Sequence, residues 1–418
     1  MKNKIEKYRK IIIKYVLNNL NFMFREKEGF LKYPYLDPAG QYTKNLWDWD
    51  SYFTSVALFG ILNNPEFSER VNTIREKILE CSIGSLMNFF EYQSEDGTIP
   101  IAMKPDNPDI FQCRNREKGI ETNMAKPIFG QYLFLIYKNT NNLDIVKKIF
   151  NKLMLFYNCY EKHYKDKETG LFTWGSDMAI GIDDDPTTWS RPHFSSANIF
   201  LNCLMYVDLI STSKLALKLG KNELAAELNN KAKKIYHAIQ KYCWDERDGF
   251  YYTVDVQCKR QLLFGWVHKN LEPFWKVIPI KIMLWTGFLP MWCKIATMRQ
   301  SKRLVYEHLI NKNQFYSKYG IRSLSIDEKM YQPEIARGNP SNWLGPIWII
   351  ANYLIWKGLK NYRFYKEQKI LSENIISLLG HDIEKTGCMH EYYSPETGKG
   401  IIGKGFLNWN ILILSMIE

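Results

Sequence analysis

Apolar residues in this chain alternate between two patterns, and that alternation constrains the fold more than any other feature of the sequence. In the first pattern they recur on one helical face, as in Ile5, Tyr8, Ile12, Tyr15, Val16 and Leu20, and again in Leu143, Val146, Ile149, Phe150 and Leu153. Such a stripe marks a helix with one side on a core. In the second pattern the run is apolar on nearly every side, at 56–62, 128–136, 199–210, 288–295, 347–355 and 406–414. A helix of that kind has to be covered all round. In chain order the two kinds predict helices near 5–24, 48–62, 66–92, 124–138, 142–165, 193–219, 221–242, 286–296, 298–312, 344–358, 362–380 and 404–416. The one-faced kind falls mostly at odd positions and the all-round kind mostly at even ones. Half-exposed helices surrounding buried ones are what an all-α (α/α)6 barrel requires.

The connections divide the same way. Those leading into the buried helices are long and carry YPYLDPAGQYTKNLWDWD, SEDGTIPIAMKPDNPD with ETNMAKP, GLFTWGSDMAIGIDDDPTTWSRPH, CWDERDGFYYTVD with the stretch after it, YGIRSLS with RGNPSNWLGPIW, and CMHEYYSPETGKG. Those leading out are little more than LNNPEF, KNTNN, LGKN and KGLKN. Long loops in a compact domain usually carry function, and these six all emerge at one end of the ring. Minor β-hairpins are expected among them, with DGFYYTVD as one strand after a turn. No Ser-, Gly- or Pro-rich linker and no internal sequence repeat interrupts the pattern, so residues 1–418 read as one barrel domain.

Composition excludes several other classes. A hydrophobic share of 46% and a charged share of 24% suit a packed protein and argue against disorder. The net charge of +12 would suit nucleic acid or an anionic small molecule, but the basic residues are dispersed and no nucleic-acid-binding motif accompanies them. Lys and Tyr interrupt the apolar run at the N-terminus before it reaches signal-peptide length, and no uninterrupted apolar segment is long enough to span a membrane. A cytoplasmic protein is expected. The eight cysteines show no CxxC pairing, which favours reduced thiols over disulfides or zinc. The acidic segment DERDGFYYTVD lacks the spacing and closing Glu of a calcium loop, so neither a metal nor another cofactor is expected.

The six long loops concentrate tryptophan and carboxylate, with Trp47, Trp49, Trp174, Trp189, Trp343 and Trp348 beside Asp48, Asp50, Asp183, Asp184, Asp185 and Glu391. A sugar ring has apolar C–H faces and a rim of hydroxyls, and flat aromatic surfaces edged by carboxylates match both. Cleaving a glycosidic bond takes one protonated carboxyl to release the leaving oxygen and one carboxylate to activate water or attack directly. The loops before the sixth and twelfth helices, which carry the Asp183–Asp185 run and Glu391, are diametrically opposed in a six-fold ring. From the run alone the acid could be any of three residues, or the run could be a solvated turn ahead of Pro186. Glu396, in the turn-like segment SPETG, is a rival to Glu391.

Four segments in this order, NLWDWDSYF, AIGIDDDP, NWLGPIWIIANYLI and HEYYSPETG, resemble glycoside hydrolases of the processing α-glucosidase I type (family 63-like). That group includes compact bacterial hydrolases of mannosylglycerate and glucosylglycerate, with trehalase as a more distant relative. The resemblance covers nearly the whole chain from about residue 30. It implies a glycosidase that inverts anomeric configuration on an α-linked sugar, with Asp183 as general acid and Glu391 as general base. It also implies sugar contacts from Trp47, Trp49 and Asp50 of the WDWDS element, and Tyr42, Asn123, Arg191, Trp343 and Trp348 join them as expected substrate-binding residues. The chain departs from the family where Leu344 replaces the Arg of WRGPIW, and where Asp184 and Asp185 replace Asn-Ser or Asp-Ser.

Arg191 and Lys126 are the residues that could pair with a substrate carboxylate, as glycerate conjugates would present and neutral disaccharides would not. A structural ion pair with a nearby Asp is the alternative for both. Two other functions remain open on this scaffold: an epimerase or lyase using His193 or His390, and a sugar-binding protein without chemistry.

Overall fold

The computed structural model describes residues 2–114, 122–258, 275–334 and 340–417. Among them the α-helices are α1 (Lys2–Asn19), α2 (Asp48–Asn63), α3 (Pro65–Val71), α4 (Arg75–Glu91), α5 (Phe129–Thr140) and α6 (Leu143–His163). They continue with α7 (Ile199–Lys218), α8 (Asn222–Ala238), α9 (Leu289–Trp292), α10 (Met298–Arg303), α11 (Ile349–Asn361) and α12 (Tyr365–Thr386). A 3-10 segment at Asn408–Ser415 follows.

Packing closes these elements into an (α/α)6 barrel. The inner ring runs α2, α5, α7, α9, α11 and Asn408–Ser415, each in contact with the next, and the last segment packs back on α2. On the outside α4 lies on α2 and α5, α6 on α5, α8 on α7, and α12 on α11, while α1 packs against α12. The burial of α7 follows its composition: it is long and apolar enough to cross a membrane, yet it stands in the inner ring and is mostly buried there. All eight cysteines are reduced thiols; seven are buried and Cys258 is half-buried.

Where the elements differ from the sequence expectation, a local cause is visible. The helix expected over 66–92 is broken by a 3-10 turn at Asn72–Ile74, where Asn and Thr are weak helix formers. The helix expected from 124 begins only at Phe129. Pro127 disfavours helix before it, and Ala125 and Lys126 instead donate their N–H groups to Ile99 O and the Asp48 carboxylate. Likewise α7 starts at Ile199 rather than 193, because Ser196–Ala197 is a strand paired with Val254–Asp255 and the Asn198 side chain caps Phe200 N–H. Residues 115–121, 259–274 and 335–339, which belong to three of the long loops quoted above, lie outside the described residues.

One device recurs in the inner ring. Asn202 on α7 bonds both the N–H and the C=O of Phe172, at 2.8 Å each, and also the carbonyl four residues back, at 2.9 Å. Asn352 on α11 does the same to Ile321 and Trp348. Asn410 reaches the carbonyls of His390 and Phe406. Each amide satisfies backbone groups that a loop buried against a helix would otherwise leave unpaired, and so fixes a long connection to the helix it leads into.

Candidate active site

The long connections surround one cavity of about 450 Å³ at their end of the barrel. Its lining includes Tyr42, Trp47, Trp49, Asp50, Asp183, Trp343 and Glu391, all expected from the sequence.

Glu391 directly precedes the hairpin that pairs Tyr392–Tyr393 with Gly400–Ile402, and its own N–H bonds Ile402 O at 2.8 Å. Tyr42 OH donates to its carboxylate, 3.1 Å from each oxygen, and Gln41 Nε2 donates to Oε2 at 3.2 Å. Gly403, at φ +68°, lies so close that a Cβ there would stand 2.6 Å from Glu391 Cβ. Burial pushes the Glu391 carboxyl up to about 8 despite the Tyr42 hydrogen bond, and the neighbouring carboxylates of Asp50 and Asp183 push in the same direction.

Asp183 comes from the opposite connection, between α6 and α7. Gly181, at φ +91°, lets the chain lie against Trp49 and Lys126, where a Cβ would come within 2.7 Å of Lys126 Cε. Buried Ile182 and Asp185 hold the segment on either side of Asp183. Burial raises the Asp183 carboxyl, opposed by a hydrogen bond from Ser341 and by the Lys126 charge.

The other two aspartates of the run do structural work. Asp185 accepts from Thr187 N–H at 2.8 Å, Thr187 Oγ1 at 2.6 Å and Asn198 Nδ2 at 2.7 Å, which ties the loop to the start of α7. Asp184 Oδ1 accepts the Trp343 N–H at 2.7 Å, while its Oδ2 is buried without a hydrogen-bond partner among the described residues. Burial, with Asp183 and Asp185 adjoining, raises Asp184 to about 7. Glu396 is drawn away to Arg322 and Tyr331.

The floor is aromatic. Trp343 stacks on Trp348 with ring centres 4.0 Å apart and planes at 1°, and Trp49 lies 4.9 Å from Trp409 and 6.0 Å from Trp343. Trp348 therefore backs the platform without lining the cavity, its N–H donated to Asn342 O at 2.8 Å. Asp50, in the first turn of α2, accepts from Asn408 and is pushed up to about 7 by burial and by Asp48.

Asp48 is fully buried and paired with Lys126, whose Nζ lies 3.0 and 3.2 Å from its two oxygens and 5.6 Å from the Trp49 ring centre. Lys126 thus takes the structural alternative.

Besides Trp348, two further expected sugar contacts lie outside the cavity lining. Arg191 pairs with Asp255 and does not line the cavity, because the strand pairing at 196–197 brings the two residues together. Asn123 is buried beneath the 175–178 loop, bonding Gly175 N–H and the carbonyls of Ser176 and Met178, so it shapes the wall from behind. Phe111, Asp177, Met178, Ser341, Phe406 and Trp409 also line the cavity and were not expected from the sequence. Trp409 and Phe406 are three residues apart in the last all-round apolar run, a pattern that signals burial and not a ligand. Among the described residues the lining carries Asp50, Asp177, Asp183 and Glu391 against Lys126 as its cation.

A model of the mannosylglycerate hydrolase MGH1-like glycoside hydrolase domain matches residues 43–409. A probable mannosyl-oligosaccharide glucosidase of Schizosaccharomyces pombe is 26% identical over 258 residues, 58% of this chain and 29% of that protein. The chain spans about half or less of the length of the first curated relatives it matches. The crystal structure of the family 63 mannosylglycerate hydrolase of Thermus thermophilus in complex with glucose superposes with a TM-score of 0.69 at 19% identity, covering 96% of this chain and 98% of that one. Neutral trehalase Nth1 of Saccharomyces cerevisiae superposes with a TM-score of 0.63 at 16% identity, covering 92% and 74%. At these identities the two structures establish the shared barrel.

Proposed function

The chain belongs to the mannosylglycerate hydrolase MGH1-like glycoside hydrolase domain family, and on that premise we propose that it hydrolyses a small α-linked sugar conjugate with inversion. The observation that carries this reading is the meeting of Asp183 and Glu391, from opposed connections, in one aromatic-floored cavity. Asp183 gives its proton to the glycosidic oxygen as the bond to the anomeric carbon breaks. Glu391, in the ionised form that the hydrogen bonds from Tyr42 and Gln41 favour, takes a proton from the water that attacks the opposite face of that carbon. The Trp49, Trp343 and Trp409 surfaces suit the C–H face of the sugar, and Asp50 suits its hydroxyls.

Mannosylglycerate or glucosylglycerate is the first substrate choice, and membership of a mannosylglycerate hydrolase-like family supports the former. A second reading, a neutral α-glucoside such as a disaccharide, is favoured by the charge of the described lining: four carboxylates face a single cation already paired with Asp48. Incubation with mannosylglycerate, glucosylglycerate, trehalose, kojibiose and nigerose, with NMR of the first-formed anomer, tests all of this. The expected result is a β-anomeric product, with the glycerate conjugates cleaved fastest. Cleavage confined to neutral disaccharides gives the second reading, and retention of the α-configuration at the anomeric carbon whose bond is cleaved, or no release from any α-glycoside, overturns the proposal.

A further inference from the structure

Away from the cavity, three side chains of different chemistry converge where the turn after α4 meets α6. Cys159 and His163 are four residues apart on α6 and share a face of that helix. Asp96 comes from the turn between α4 and the strand Ala102–Met103. One donor atom from each lies within 4.8 Å of the other two. None of the three lines the catalytic cavity.

We propose that Asp96, Cys159 and His163 form a binding site for a transition-metal ion of the zinc class. A thiolate, an imidazole and a carboxylate are the donor set zinc favours, whereas calcium and magnesium take oxygen almost exclusively. Tetrahedral coordination with bonds of about 2.0–2.3 Å places donors roughly 3.3–3.8 Å apart, so the donors need draw together by no more than about 1–1.5 Å to close the site. Cys159 is buried, His163 half-buried and Asp96 exposed, which gives the ion a route in and leaves a fourth position for water.

The surroundings already hold the carboxylate in place. Thr98 donates to Asp96 twice at 2.9 Å, from its N–H to Oδ1 and from its hydroxyl to Oδ2, and Thr98 Oγ1 is 3.5 Å from Cys159 Sγ. A carboxylate oxygen accepts more than one bond, so these contacts orient the group and are compatible with a metal on it. The turn itself is pressed onto α6: Gly97 has φ +95°, and a Cβ there would stand 2.2 Å from Leu155 O. A bound ion would pin this turn to α6 and stiffen the strand beyond it, which pairs with Leu46–Trp47 ahead of α2. No zinc pattern is legible along the chain because the ligands come from two distant segments.

The test titrates the untagged 418-residue chain with Co2+, which reports a bound thiolate by sulfur-to-cobalt charge-transfer absorption, and then displaces it with Zn2+. The expected result is saturation at one equivalent, displacement by Zn2+ and a rise in Tm with Zn2+. Cys159→Ser should abolish the band, and His163→Gln, at a more exposed position, should weaken Co2+ binding by about tenfold or more. Absence of the band in the native chain overturns the site. So does a band of unchanged intensity in Cys159→Ser, which would place the thiolate elsewhere, or unchanged affinity in His163→Gln.

Discussion

The division of labour between Asp183 and Glu391 can be tested by leaving group. A substrate whose leaving group departs without protonation, such as an α-glycosyl fluoride, bypasses the acid but still needs the base. Asp183→Asn should therefore keep far more activity on the fluoride than on the natural conjugate, while Glu391→Gln should lose about 10²–10⁴-fold on both; equal losses in the two variants on both substrates would reject the assignment. Asp184 offers a separate test. Asp184→Asn preserves the acceptor for Trp343 N–H, whereas Asp184→Ala leaves that buried N–H unpaired and loosens the tie between the acid loop and the aromatic floor. The alanine variant should lose about 1–3 kcal/mol in urea unfolding and the asparagine variant much less.

Asp183 and Glu391 were legible as candidates from residue type and loop position, but choosing Asp183 among three aspartates was not. That choice depended on family resemblance, and the hydrogen bonds of Asp184 and Asp185, made to Trp343 and to Thr187 with Asn198, exist only once the loop is folded. Arg191 shows the same limit: a cation in an active-face loop looks available until a strand pairing delivers Asp255 to it.

Among the elements, the long periodic helices were legible and the entries to the inner helices were not. The periodicity that marks α6 or α11 is local, whereas the start of α5 is set by Ile99 and Asp48, far away in sequence. The three asparagine clamps belong to this scale as well, since each reads as an ordinary polar residue in an apolar run. Asn352→Ala should strip both buried backbone partners from Ile321 and cost about 1–3 kcal/mol in chemical denaturation. A change under about 0.5 kcal/mol, the range of ordinary surface substitutions, would show that the clamp contributes little.

For the whole molecule, buried carboxylates set the expected dependence of stability on pH. Glu391 is pushed up to about 8, Asp50 and Asp184 to about 7 and Asp208 to about 6, against 4.5 for Glu and 3.8 for Asp when unperturbed. Between the two values the folded state binds more protons than the unfolded state, so the contribution is greatest below about 4 and is lost progressively as pH rises from there, the last of it between 6 and 8. The urea midpoint should fall over that upper window, and Glu391→Gln should flatten the part nearest 8; a midpoint that climbs from pH 5 to 8 would contradict the protonation order. The residues proposed for catalysis thus oppose the stability of the barrel that holds them.

Ring closure has a kinetic consequence. Asn408 bonds the Asp50 carboxylate and the Thr54 hydroxyl across 358 and 354 residues of chain, so the innermost circle joins elements from nearly opposite ends of the sequence. Contacts that distant form slowly, because a long loop loses its freedom before any closing contact rewards it. During synthesis on the ribosome, α2 waits with its inner face uncovered until residues 408–415 emerge. Trp49 cannot meet Trp409, nor Asp50 meet Asn408, before that moment, and the candidate site is among the last parts of the molecule to exist.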